Sequence, residues 1–129
     1  MSYRWVDHTA ELELEIDSPS EAGVFAEALA AFAELVADDR GEVAERRIEL
    51  AGDDRAGLLV AWLEELAFLA ETEGFVPEAA AIELDATGLR ATVAGHGARP
   101  PHLVKAVTLH RLLFAPDGDR WRARVVLDV

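Results

Sequence analysis

The sequence predicts an α+β fold: a mainly antiparallel β-sheet, with a mixed one also compatible, and two amphipathic helices packed on it in two layers. Three features predict it. Apolar and polar residues alternate strictly in "LELEI" (Leu12–Ile16), the mark of a strand with one wet side. Two longer segments carry apolar residues at helical spacing behind capping residues. Strand-like runs dominate the two ends of the chain, with only two helical segments between them. Helices segregated onto one face of a sheet satisfy that order.

The elements follow in sequence. "YRWVDHTAELELEI" (3–16) opens with a strand-like run, interrupted at Asp7, His8 and Thr9 before the alternating strand. Leu12, Leu14 and Ile16 fall on one face of that strand and Glu13 and Glu15 on the other, solvated one. In the next segment Ser18 is placed as N-cap, with Pro19 at the first helical position and Glu21 three residues past the cap. This is a capping box with a helix-start proline. Val24, Phe25, Ala28, Leu29, Phe32, Leu35 and Val36 form its apolar stripe, and Gly41 marks the end of the helix or the loop after it. "EVAERRIEL" (42–50) reads as a strand. In "GDDRAG" (52–57) Asp53 or Asp54 is the N-cap of a second helix, with Leu59, Trp62, Leu63, Leu66 and Leu69 on its stripe and an end near Gly74. "AAIELDATGLRATVAGHG" (80–97) is two strands around a turn at Asp85–Gly88, and "GHGARPP" (95–101) is a turn. After Pro100 and Pro101, two long strands surround "PDGD" (116–119), the clearest hairpin in the chain.

The 129 residues fit one domain, 1–129, and 51% hydrophobic with 29% charged residues is a globular composition. The chain has no Cys, which excludes disulfides, thiolate zinc sites and Cys nucleophiles. The N-terminus has no signal-peptide pattern, and "GLLVAWLEELAFLA" (57–70) is too short and too acidic to span a bilayer. A cytoplasmic protein without membrane partners is the expectation. The net charge is −13, from 25 acids and 12 bases. Nucleic-acid binders draw most of their affinity from clustered Lys and Arg, so strong direct binding to RNA or DNA is not expected. An acidic surface suits a basic protein partner or divalent cations, and it also serves solubility alone.

The chemistry-bearing residues are few. Ser2 is terminal, and Ser18 and Ser20 belong to a helix cap. No nucleophile elbow, phosphate loop or dinucleotide fingerprint is present. His8, His96, His102 and His110 form no i, i+4 or His-x-His pair, which argues against a zinc hydrolase. Hard cations need several oxygen ligands. Asp7 and Glu11 stand four apart around a turn, and Asp128 ends the last strand. If the first and last strands are neighbours, these three carboxylates meet at one sheet end; as ordinary strand-end acids they have no such role. Lys105 and His110 differ by five and point to opposite faces of a regular strand, unless a bulge intervenes.

Three separated motifs, "YRWVDHTAELELEI", "VKAVTLHRL" and "RVVLDV", closely resemble the archease family, in its order and over nearly the whole chain. The resemblance implies a small α+β protein cofactor of an RtcB-family RNA ligase. Such ligases join 3'-phosphate or cyclic-phosphate ends to a 5'-hydroxyl in tRNA splicing and RNA repair. The cofactor is implied to be non-catalytic. It promotes guanylylation of the ligase's active-site His and multiple turnover. The resemblance further implies a divalent-metal site of calcium, or else manganese or magnesium, with Asp7, Glu11 and Asp128 as ligands. His8, Lys105 and His110 are implied to lie near partner or nucleotide. Glu11 stands where the family has Asp, and its extra methylene moves the carboxylate by about a bond length. Leu109 replaces an aromatic residue and reads as a packing change. Two other readings remain: a stand-alone metal-dependent hydrolase using Asp7, His8 and Asp128, and a general chaperone or scaffold. The sequence sets no oligomeric state.

Overall fold

A computed structural model describes residues 2–8, 11–36, 41–98 and 104–129; the side chains of Asp7 and His8 lie outside that description. The chain runs β1 (Ser2–His8), β2 (Glu11–Ser18), α1 (Glu21–Val36), β3 (Val43–Ala51), α2 (Arg55–Glu73), β4 (Phe75–Asp85), β5 (Gly88–Gly97), β6 (Ala106–Asp117) and β7 (Arg120–Asp128). The element order matches the expectation from the sequence, and so does the α+β class. The strands divide into two sheets rather than one. One has the order β1-β2-β7-β6 and the other β3-β5-β4, with every pair antiparallel.

Both helices touch both sheets, so the core lies where helices and sheets meet. Leu14, Ile16, Val125 and Leu127 reach it from the four-stranded sheet, and Ile48, Leu89 and Val93 from the three-stranded one. The predicted helical stripes supply the rest. Phe25, Phe32, Leu59, Trp62, Leu63 and Leu66 are almost fully buried. The Trp62 indole N–H donates to the Phe25 carbonyl at 3.0 Å, joining α2 to α1 in the interior.

The start of α1 differs from expectation. Ser18 belongs to β2, opposite Trp121 of β7, and α1 begins only at Glu21, too far along for Ser18 to cap it. Ser20 caps instead, its hydroxyl accepting from the Gly23 amide at 3.0 Å. Glu21 is then free to pair with Arg55 at 2.6 Å, tying the first turns of the two helices. The second helix begins at one of the two predicted caps: Asp54 accepts from the Ala56 and Gly57 amides at 3.3 and 3.2 Å. It ends at Gly74, whose φ of 61° is the left-handed conformation that glycine adopts without penalty. The "GHG" read as a turn is instead the end of β5, and His96 is buried. Its Nδ1 lies 2.9 Å from Glu78 Oε1, while its Nε2 has no hydrogen-bond partner among the described residues.

Tyr3 yields a clean prediction, because it is the one tyrosine in the chain. Its hydroxyl donates to Glu34. That bond, with burial and the Glu34 charge, pushes the phenol up to about 12 from 10.0. The folded value lies above the unfolded one, so the contact stabilises fully below pH 10 and is lost as pH rises toward about 12. Phenolate absorbance should therefore titrate near 12, and Glu34→Ala should return the midpoint toward 10.

Candidate functional site

The backbone positions of Asp7, His8, Glu11 and Asp128 lie at one end of the four-stranded sheet. Asp7 and His8 do not interrupt β1; they are its last residues, with Cα partners Leu12 and Glu11 across the β1–β2 hairpin. Thr9, between the two strands, lies outside the described residues. Glu11 is also the Cα partner of Asp128, and Asp128 of Ala106. A single row thus crosses the sheet as His8, Glu11, Asp128 and Ala106, with neighbouring strands about 4.8 Å apart. The first and last strands are not neighbours: β2 lies between them. The acids nonetheless share the same sheet end, since β2 contributes Glu11 itself.

Glu11 and Asp128 are half-buried and directly opposed on adjacent strands. Like charges so placed destabilise a sheet unless a counter-charge joins them. Lys105, just before β6, is exposed, and its backbone N–H donates to the Asp128 carbonyl at 2.8 Å. That bond holds the end of β7 through main chain alone. Among the described residues no group of three His, Asp or Glu side chains is arranged to hold a metal; Asp7 and His8 stand outside that comparison.

His110 sits in a bulge. The β6–β7 register is regular up to Thr108↔Val126 and resumes at Leu113↔Arg124. Four residues, 109–112, therefore oppose the single residue Val125. This irregularity falls between Lys105 and His110, so strand alternation no longer sets them on opposite faces. The His110 amide donates to Thr108 Oγ1 at 3.3 Å, and the side chain is exposed. Leu109, read from sequence as a packing residue, is 71% exposed.

Sequence reasoning missed what stabilises this bulge. Glu13, placed on the wet face by alternation, is 3% exposed. Val126, its partner in the ladder, is 1% exposed. Arg111 is drawn over that face, its Nε 3.2 Å from Glu13 Oε1, and the Arg124 Nε–H donates to the Arg111 carbonyl at 2.8 Å. The legible signal is the loss of alternation in "LHRLLF", where Leu109, Leu112 and Leu113 cannot share one face of a regular strand. Elsewhere on this sheet, charge is paired. Arg4 beside Glu15 and Arg120 beside Asp17 hold those carboxyls below the usual carboxylate range.

The geometry defines a small two-sheet α+β protein whose sequence motifs converge on one acidic sheet end. Residues 3–129 match the Archease protein family (MTH1598/TM1083), and the chain belongs to that family. Similar proteins include the protein archease of Archaeoglobus fulgidus, 31% identical over 137 residues and 100% of both chains. That of Methanosarcina barkeri is 29% identical over 98% of this chain and 95% of its own. The solution structure of Methanobacterium thermoautotrophicum protein 1598 superposes with a TM-score of 0.77 at 29% identity, covering 99% of each chain. A crystal structure from Thermotoga maritima, described as an archease and possible chaperone, shares the fold with a TM-score of 0.74 at 22% identity, over 96% and 94% of the chains. No helix among the described residues is long and apolar enough to cross a membrane.

Proposed function

We propose that this chain is a non-catalytic protein cofactor of an RtcB-family RNA ligase, promoting guanylylation of the ligase and its repeated turnover in tRNA splicing or RNA repair. The observation that carries the reading is the single row at the sheet end, where Glu11 opposes Asp128, with His8 and Lys105 at its flanks. The family match over residues 3–129 supports it.

The donor set fits a divalent cation, calcium or else manganese or magnesium. Two opposed carboxylates are oxygen donors of the kind hard cations take, and their mutual repulsion becomes attraction once a cation joins them. Glu11 and Asp128 would hold the ion; Asp7, the third expected ligand, stands one row away, opposite Leu12. Such an ion supplies positive charge that neutralises phosphate oxygens. The chain's own part is positional: β2 and β7 fix the two carboxylates, and the main-chain bond from Lys105 fixes the end of β7. Lys105, just before β6, and His110, within it, are exposed and reach partner or nucleotide from there. The charge of −13 favours docking beside the basic surface an RNA ligase needs.

A general chaperone needs a broad apolar surface. The large exposed hydrophobics among the described residues, Val43, Phe68 and Leu109, lie on three different elements, β3, α2 and β6, which favours the single-partner reading. The test is ligation of a 3'-phosphate RNA to a 5'-hydroxyl RNA by the organism's own ligase, with this protein below stoichiometric amounts. Product should exceed one equivalent per ligase only when the protein is present. Equal product without it, from a demonstrably active ligase, would overturn the proposal.

A further inference from the structure

Arg111 has a φ of 59°, the one positive φ among the described non-glycine residues. A side-chain-bearing residue is strained there, and such strain persists only where the surroundings impose it. Two contacts impose it. The Arg124 guanidinium donates to the Arg111 carbonyl at 2.8 Å, and the Arg111 guanidinium lies 3.2 Å from a Glu13 carboxyl oxygen whose side chain is 4% exposed. This face lies outside the main core cluster, although it buries Val126. Leu14, Val125 and Leu127 point to the core on the opposite face, glycine at 111 would relieve the backbone, and an apolar residue at 13 would avoid burying a carboxyl. What the arrangement achieves is display. Leu109 is 71% exposed and His110 is exposed beside it.

We propose that Glu13, Arg111 and Arg124 are positioning residues, a clamp that fixes the 109–112 bulge so that Leu109 and His110 engage the partner ligase. The proposal rests on the ligase-activator reading. The clamp acts through the backbone it shapes and touches neither nucleotide nor ion.

Two measurements on the whole chain test it: amide hydrogen exchange at 109–112, and titration of ligase stimulation by the protein. Glu13→Gln keeps the shape of the buried side chain while removing its charge, and Arg124→Gln removes the other tie at a more accessible position. If Glu13→Gln does not fold, Arg124→Gln carries the test. Exchange at 109–112 should rise about tenfold, with the core amides unchanged. The concentration for half-maximal stimulation should rise about tenfold, with the maximum still reached at saturation. Unchanged exchange would show that no clamp exists. Raised exchange with an unchanged titration would make the contacts structural only. Failure of the wild-type protein to stimulate an active ligase overturns the activator reading and this proposal with it, while the exchange data still report whether the clamp is real.

Discussion

Trp62→Ala is expected to lower the unfolding free energy by about 3–5 kcal/mol. Trp62 is fully buried at the junction of both helices, and its indole N–H is satisfied by the Phe25 carbonyl. Truncation removes the largest side chain of the core, opens a cavity between elements pinned by two sheets, and loses the cross-helix hydrogen bond. A small domain has only about 5–15 kcal/mol to lose, so the variant should sit near the edge of folding. In urea the midpoint should fall sharply with little change in slope. Phe68→Ala, on the same helix but 53% exposed, should move stability by no more than about 0.5 kcal/mol. Similar losses at both positions would contradict the assignment of the core.

Asp128→Ala is expected to remove ligase stimulation while leaving the fold in place. Asp128 is half-buried at the end of β7, and its carbonyl, not its carboxyl, accepts the Lys105 amide. The strand end therefore keeps its main-chain tie. Removing the carboxyl leaves Glu11 without its opposed partner, so any cation shared between them loses a ligand. Altering even the outer partners of metal ligands costs about 10- to 100-fold, and loss of a ligand should cost at least as much. The same variant should bind calcium more weakly by titration calorimetry, and in metal-free buffer its urea midpoint should be no lower than that of wild type. Full stimulation by Asp128→Ala would remove Asp128 from the function.

Much of this was legible in the residues because local chemistry and fold agree. The nine elements of the described residues follow the expected order because alternation, caps and turn residues are local signals: "LELEI" is a strand, one of the adjacent Asp53 and Asp54 caps α2, and Gly74 ends it. The misassignments are those where tertiary pairing overrode a local signal. Ser18 has cap chemistry, but the ladder with β7 claims it and passes the cap to Ser20. Glu13 has the right parity for solvent, but Arg111, nearly a hundred residues further along the chain in the β6 bulge, covers it. The division into two sheets depends on which strands pair across long separations, which alternation does not encode. For the site, the motif positions were readable and their convergence only conditionally so. The condition named, adjacency of the first and last strands, was the wrong one. The strand between them is what joins the residues, because Glu11 pairs with both His8 and Asp128.

The proposed role has this chain act on a ligase rather than on RNA. Its most direct test is transfer of labelled GMP from GTP to the ligase's own histidine, with manganese present and this protein at a small fraction of the ligase concentration. Faster guanylylation is expected and, once RNA ends are added, repeated rounds of it, with no label on this protein. An active ligase whose guanylylation is the same with and without the protein would contradict it.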